Sequence, residues 1–500
     1  MNHPQTNVIA YPAPYYRGMT DDQCRLIHRA SLNILERTGV LLYYQPAIDL
    51  LKKAGCLVEE NRVRIPSHLV EWALRTAPSR IMMYDRFGNP VMPLGDRIST
   101  YGTGSDCLNI LDHRTGERRK AVLQDVVDGI RVAEAMPHVD FIMSMFLPSD
   151  VPVAADVRQM EVMLFYSAKP ICFVTYGWEG TPEVIEMAEM AVGGADGLRI
   201  NPTAILYVNV TTAFWHNEES LRKLMYCAEK HLPCVYLPDV QRGLSCPITF
   251  AGAMACSNAG QLVGLLIAQL VSEGAPIILN TAMPTSMDMK TMILPYASLF
   301  NTYFLELNHY YNLPSFNYGG CSDSKLLDEQ AIMESTLGLY GAMLSGGNMI
   351  HDLGYMESGL TGSLELVVIC DETISWIKAC TKGLEINKET LALDLIHQHA
   401  LSADFLGTKH TVRHVREDWQ PCLIDRHNYE QWMASGGMSM RERARAKIDE
   451  ILSAEPRHIL PPDVEKRIRT ITERVGQLKA ASRGNRCRVG WYRCNGDCQR

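Results

Sequence analysis

From residue 98 to 380 one unit recurs: a short β-rich run ending in Gly, Pro, Asn or Asp, followed by a helical stretch. The runs are STYGTG (99–104), VDFIMSM (139–145), ICFVTY (171–176), AILYVNV (204–210), CVYLP (234–238), PIILNT (276–281), SFNYGG (315–320) and NMIHD (348–352). Near-continuous apolar runs alternating with helices imply a parallel sheet covered by helices on its outer face. The intervening stretches carry helical stripes, Val122, Val126, Ile130 and Ala133 in one and Leu221, Leu224, Met225 and Ala228 in another. In GTPEVIEMAEMA, Thr181 serves as N-cap, Pro182 sits in the first turn and Glu183 follows it, a helix start written in sequence. Eight such units predict an α/β fold, a (β/α)8 TIM barrel over 98–381. An open doubly wound sheet is the runner-up, but no GxGxxG follows any early run.

Two extensions flank the barrel. Residues 1–97 are expected to pack on it, with a helix from Thr20 to Gly39, helices near 45–54 and 66–76, and a hairpin around FGNP. Residues 382–480 form a helical extension whose clearest helix is MSMRERARAKIDEILSA. No Gly/Ser- or Pro-rich linker separates either from the barrel, so both are read as wall packing or as contacts in a homo-oligomer. The segment 481–500 carries five arginines and Cys487, Cys494 and Cys498, at spacings that fit no common zinc pattern. It is expected to be disordered and functionally silent.

The bulk properties exclude several classes. A net charge of −8 gives no support to nucleic-acid binding. Residues 1–17 lack the apolar core of a signal peptide, and the longest apolar candidate, Leu262–Val271, is short and includes Gln269. Most of the 15 cysteines sit in apolar runs, which suits buried, reduced thiols. The expectation is a cytoplasmic protein that engages no membrane.

In barrels of this class the chemistry sits at the C-terminal ends of the strands. Those ends supply Tyr101 with Asp106, Met145, Tyr176 with Trp178, and Thr211 with Phe214 and Trp215. They continue with Asp239 and Arg242, Asn280, Tyr318 with Cys321, Ser322 and Asp323, and finally His351, Asp352 and Tyr355. Phe, Trp and Tyr are 8% of the chain yet appear at five of the eight ends, which favours a pocket for a quaternary ammonium. His351 is balanced between packing and function, Asp352 can accept backbone N–H groups, and Glu357 suits a first helical turn. No lysine ends a strand in the middle of the barrel, which argues against Schiff-base chemistry, and GxSxG and HExxH are absent. A zinc site from His351, Cys321 and an acidic residue stays open, because barrel ligands come from different strands.

The stretches SFNYGGCSDSKLLDEQAIMES (315–335), GGNMIHDLGYMESGLTGSLELVVICDE (346–372) and SCPITFAGAMACSNAG (245–260) resemble the trimethylamine methyltransferase (MttB-like) family of corrinoid-dependent methyltransferases. YRGMTDDQCRLIHRASLNILERTGV (16–40) and VRHVREDWQPCLIDRHNYEQWMASGGMSMRERA (412–444) are similar to the same family's opening and C-terminal segments. The resemblance spans roughly 15–478 and implies methyl transfer from a methylated amine to the Co(I) of a cognate corrinoid protein. No cofactor or metal would then be bound permanently, and the corrinoid would come from the partner. Founding members carry pyrrolysine where this chain reads NYGGCSDSK, so the chain resembles the non-pyrrolysine branch, some of whose members act on glycine betaine, proline betaine or carnitine. On that reading Tyr101, Tyr176, Trp178, Phe214, Trp215, Tyr318 and Tyr355 are cage candidates. His351 would contact the substrate's carboxylate or hydroxyl with Asp352 orienting it, and Arg242 would pair with a betaine carboxylate. The alternatives are a zinc-dependent corrinoid methyltransferase for an alcohol or thiol, and a non-catalytic betaine-binding protein.

Overall fold

The structure, a computed structural model, describes residues 15–280, 288, 290 and 301–493. Thr281, the end of the sixth run, and 494–500 lie outside them. Seven of the eight runs form one parallel sheet in the order Thr100–Thr103, Met349–Leu353, Ser315–Tyr318, Ile277–Asn280, Cys234–Pro238, Ala204–Val210 and Ile171–Phe173. This is the strand order of a barrel cut open at its second strand. The second run lies across the cut: Phe141 bridges Gly102 and Ile142 bridges Ile171, both parallel.

The expected strand 139–145 is thus reduced to two bridges, for a local reason. The amides of Asp140 and Phe141 share the Tyr101 carbonyl at 2.6 and 3.2 Å. The Thr103 hydroxyl then takes the place of a ladder partner, accepting from the Met143 amide at 2.8 Å and donating to its carbonyl at 2.9 Å. Met145 ends the segment at φ 58°.

A helix follows each run: Leu123–Ala135, Ala155–Tyr166, Thr181–Ala191, Glu218–Lys230, Phe250–Val271, Asn301–Tyr311, Glu329–Leu344 and Leu364–Thr381. The architecture is the (β/α)8 barrel. Phe250–Val271 absorbs the apolar stretch that sequence placed at Leu262–Val271. By length and composition alone it could cross a membrane, but it is buried in the barrel wall. It packs on Asp21–Arg37, Ser67–Thr76 and Glu218–Lys230.

The N-terminal extension closes one end of the ring. Its hairpin, Ile81–Tyr84 with Pro90–Leu94, turns through FGNP and inserts Ile81, Met83, Met92 and Leu94 among inward-facing Phe141, Cys172, Ile205, Val235, Ile278, Phe316 and Met349. Burying side chains of this size contributes roughly 1.5–3 kcal/mol each, so the plug is a stable floor. Chemistry is left to the opposite end, where the strands terminate. The helix Asp21–Arg37 starts at Thr20 with a capping box to Gln23.

The C-terminal extension is pinned at two places on Leu364–Thr381. Buried Glu372 accepts the amides of Cys422, Leu423 and Ile424 at 2.9–3.2 Å. Fully buried Glu365 pairs with Arg441 and Arg445 of the helix Met440–Ser453. The last helix, Pro462–Arg493, packs on Ala155–Tyr166 and Thr181–Ala191. It continues past 481, into the segment expected to be disordered; extending an existing helix adds one hydrogen bond per residue with no new nucleation.

Candidate active site at the barrel mouth

The floor sets the phase of every strand. Phe316 and Met349 point inward, so two residues further on Tyr318 and His351 share that face, as Tyr207 does after Ile205 and Asn280 after Ile278. Tyr318 and His351 are register neighbours. The Tyr207 ring lies 5.4 Å from Phe316, and Phe316 stacks on the His351 imidazole at 4.1 Å and 18°. An aromatic layer therefore crosses the barrel just above the floor.

Asp352 should alternate to the outer face, but it does not. It takes φ 77° where the register with the first strand shifts between Ile350 and Leu353. The kink brings its carboxylate to His351, with Oδ1 2.5 Å from Nδ1. Opposite it, the first strand ends in Gly104, where any Cβ would run into the Asp352 carboxylate and the Tyr355 ring. The Tyr355 hydroxyl donates to the Ser105 carbonyl, which locks this corner.

Two more carboxylates complete the mouth. The Tyr176 hydroxyl donates to Asp106, and Gln159 Nε2 donates to the same oxygen at 3.2 Å. Burial raises the Asp106 carboxyl, with these hydrogen bonds opposing it. Asp239, after the fifth strand, is likewise raised by burial. Burial, then the charges of Asp352, Asp239 and more weakly Asp106, holds the Tyr207 phenol protonated; the same ring feels all three acids. Asp352 pairs with His351, and among the described residues no Lys or Arg lies within ion-pair distance of Asp106, Asp239 or Asp352.

The structure thus brings together His351, Asp352, Tyr318 and Tyr355, with Tyr176 held on Asp106. The other expected contributors lie elsewhere. Tyr101 is out of phase with Gly102, whose Cβ would meet Phe141, so its buried ring faces the outer wall with Lys378 Nζ 5.4 Å from the centroid. Trp178 packs edge-on to Tyr226 at 5.5 Å, with the Arg222 guanidinium 4.4 Å above it. The Phe214 carbonyl accepts from Leu41 at 2.8 Å, and half-exposed Trp215 pairs with Leu41, so both belong to the sheet of the N-terminal extension. Arg242 is folded back on Phe250 at 3.9 Å, donating to the Ile248 carbonyl at 3.1 Å. Tyr355 does reach the Asp352 corner, but from a small rim sheet that sequence did not foretell, Asn109–Leu111, Arg118–Lys120, Tyr355–Met356 and Thr361–Gly362. Glu357 sits in a 3-10 turn of that rim, held by Arg118 at 2.6 Å, rather than at a helix start. Asp328 caps the helix Glu329–Leu344. Tyr207, Phe316 and Gln159 were missed, though Tyr207 sits mid-run in AILYVNV two places before a strand-end asparagine.

Among the described residues no three His, Cys, Asp or Glu side chains converge as a metal-ligand set. Burial, then the nearby charges of Asp352, Asp323 and Cys370, pushes the Cys321 thiol well up. Beside the mouth, outside Tyr176, lies a cavity of about 640 Å3 bordered by Leu147, Pro148, Pro152 and Lys479.

A family model described as trimethylamine methyltransferase matches residues 2–477. Trimethylamine methyltransferase MttB of Desulfitobacterium hafniense is 30% identical over 463 residues, 91% of this chain and 93% of that protein. A glycine betaine methyltransferase from another strain of the same species is 30% identical over 477 residues, covering 93% and 98%. Among solved structures, the Methanosarcina barkeri monomethylamine methyltransferase aligns at 12% identity and TM-score 0.46, covering 88% of this chain and 89% of that one.

Proposed function

Because the chain belongs to the trimethylamine methyltransferase family, we propose that it is a methyltransferase for methylated amines, taking a methyl group from a quaternary amine to the Co(I) of a corrinoid carried by a separate protein. The observation that supports this most is the layer Tyr207–Phe316–His351 ringed by Asp106, Asp239 and Asp352, an aromatic and acidic mouth suited to a cation. In the transfer, the methyl carbon bonds to Co(I), giving methyl-Co(III), and the C–N electron pair leaves with the nitrogen. The amine departs neutral, so no general acid is required. The protein's work is to hold the cation, aim one methyl outward and keep water out. Glycine betaine, proline betaine, carnitine and γ-butyrobetaine are the substrates the resemblance supplies.

The test is to incubate the purified protein with a panel of quaternary amines and a Co(I) corrinoid protein. Methyl-Co(III) is expected to form, seen in the visible spectrum, with the demethylated amine appearing in equal amount. Formation with no amine in the panel overturns the reading and leaves a binding protein. Stoichiometric zinc in the purified chain, with transfer from an alcohol or thiol, would favour the zinc-dependent alternative instead.

We place the protein in the cytoplasm, as a homo-oligomer. Between its anchors the C-terminal extension folds as four short helices, Lys388–Leu391, Leu393–His399, Lys409–His414 and Tyr429–Ala434, none with a buried residue. Leu384, Ile386, Leu401 and Leu406 are almost fully exposed there. Helices of four to seven residues do not persist in water without packing, and so apolar a surface suits a permanent partner. Replacing Leu401 and Leu406 together by aspartate should convert the assembly to a monomer in light scattering, with the Tm of the barrel changed by only a few degrees. A wild-type chain that is already monomeric at micromolar concentration would sink the idea.

A further inference from the structure

We propose that the mouth selects a quaternary ammonium whose tail is uncharged and ends in a hydroxyl donor, a cationic amino-alcohol of the choline class, over zwitterionic betaines. This rests on the quaternary-amine reading and narrows it.

Two independent features point this way. The first is charge. Asp106 follows the first strand, Asp352 lies near the end of the eighth and Asp239 follows the fifth. The inward Tyr207 phenol feels all three, and among the described residues the only basic side chain within ion-pair distance of any of them is the His351 imidazole. The basic groups near this end of the barrel are engaged: Arg118 with Glu357, Lys479 with Asp156, Lys223 with Glu219 and the Thr175 carbonyl, Lys325 with the Asp323 carbonyl, and Arg242 on Phe250. The segment 281–300 contributes one basic residue, Lys290, which is exposed. A substrate carboxylate would therefore enter among acids of its own sign, none of which has a Lys or Arg of the described residues within ion-pair distance. At effective dielectric constants near 20, one like charge a few ångströms away is enough to cost at least a tenfold loss of binding.

The second is hydrogen-bond polarity. With Nδ1–H donated to the Asp352 carboxylate, Nε2 of His351 presents a lone pair on the inward face. A lone pair accepts from a hydroxyl and repels a carboxylate. Asn280, inward on the sixth strand, can serve the hydroxyl oxygen in return through its amide N–H.

Equilibrium binding to the full-length protein, followed by calorimetry with choline, tetramethylammonium and glycine betaine, separates this from the transfer reading because no corrinoid is needed. Choline is expected to bind at least tenfold more tightly than glycine betaine, with tetramethylammonium between them. Equal binding, tighter binding of glycine betaine, or no binding of any of the three would overturn the proposal. Asp239→Asn is expected to shrink the choline-to-betaine ratio about threefold or more, and an unchanged ratio in a folded variant would remove the charge argument. If choline wins in binding but no amine methylates the Co(I) protein, selectivity stands and the assignment of catalysis falls.

Discussion

His351→Ala is expected to lower kcat/KM for methyl transfer about a hundredfold, roughly 2.7 kcal/mol, while the protein stays folded. The ring does three things at once. It covers Phe316 at 4.1 Å, it offers a polar atom within the aromatic layer, and it donates to the Asp352 carboxylate. Truncation leaves that carboxylate buried without its partner, and the aromatic layer open to water at the place where a methyl must be held still. Asp352→Asn is the sharper companion. It keeps the shape, but its amide can donate to Nδ1, which moves the ring proton to Nε2 and turns an acceptor facing the substrate into a donor. A loss of about tenfold is expected, falling mainly on KM for a hydroxyl-bearing substrate. Near-normal steady-state kinetics in His351→Ala would reduce the ring to a packing element.

The scaffold was far more legible than the site, and strand burial explains why. AILYVNV follows Pro202, CVYLP runs from Pro233 to Pro238, and both are largely apolar, so their extents as strands, Ala204–Val210 and Cys234–Pro238, follow directly from sequence. The same property hides their phase. A strand buried on both sides gives no alternation to say which residues look into the barrel. Tyr101 and Tyr207 are equally plausible aromatics in sequence, yet one faces the outer wall and the other the mouth. Phase became visible only through the hairpin plug, a set of contacts between residues far apart in the chain. Trp178, Phe214, Trp215 and Arg242 lie beyond the barrel strands, where their positions are decided by other elements, the Arg222 cation, the strand Val40–Leu42 and the Phe250 ring. His351 and Asp352 were found because a polar pair at the end of an apolar run is itself a signal. The left-handed kink that joins them was not, since nothing in NMIHDLG prescribes φ 77° at an aspartate.

Gly104→Ala should damage turnover far more than stability. The first strand delivers its last inward position against two groups that cannot both retreat. On one side is the Tyr355 ring, fixed by its hydroxyl on Ser105 and by the pairing of Tyr355–Met356 with Thr361–Gly362. On the other is the Asp352 carboxylate, fixed by His351. Overpacking a site of this kind costs about 1–3 kcal/mol, and here the cheapest relief is to swing Asp352 off the imidazole. Turnover is therefore expected to fall by more than a hundredfold, with the Tm lowered by a few degrees. Adding Tyr355→Ala to Gly104→Ala makes room on one side only. Stability should largely return, whereas activity should not, because the displaced acid leaves His351 unoriented. Recovery of both together would mean that the methyl acts only through packing, and that the Asp352–His351 contact does not govern the reaction.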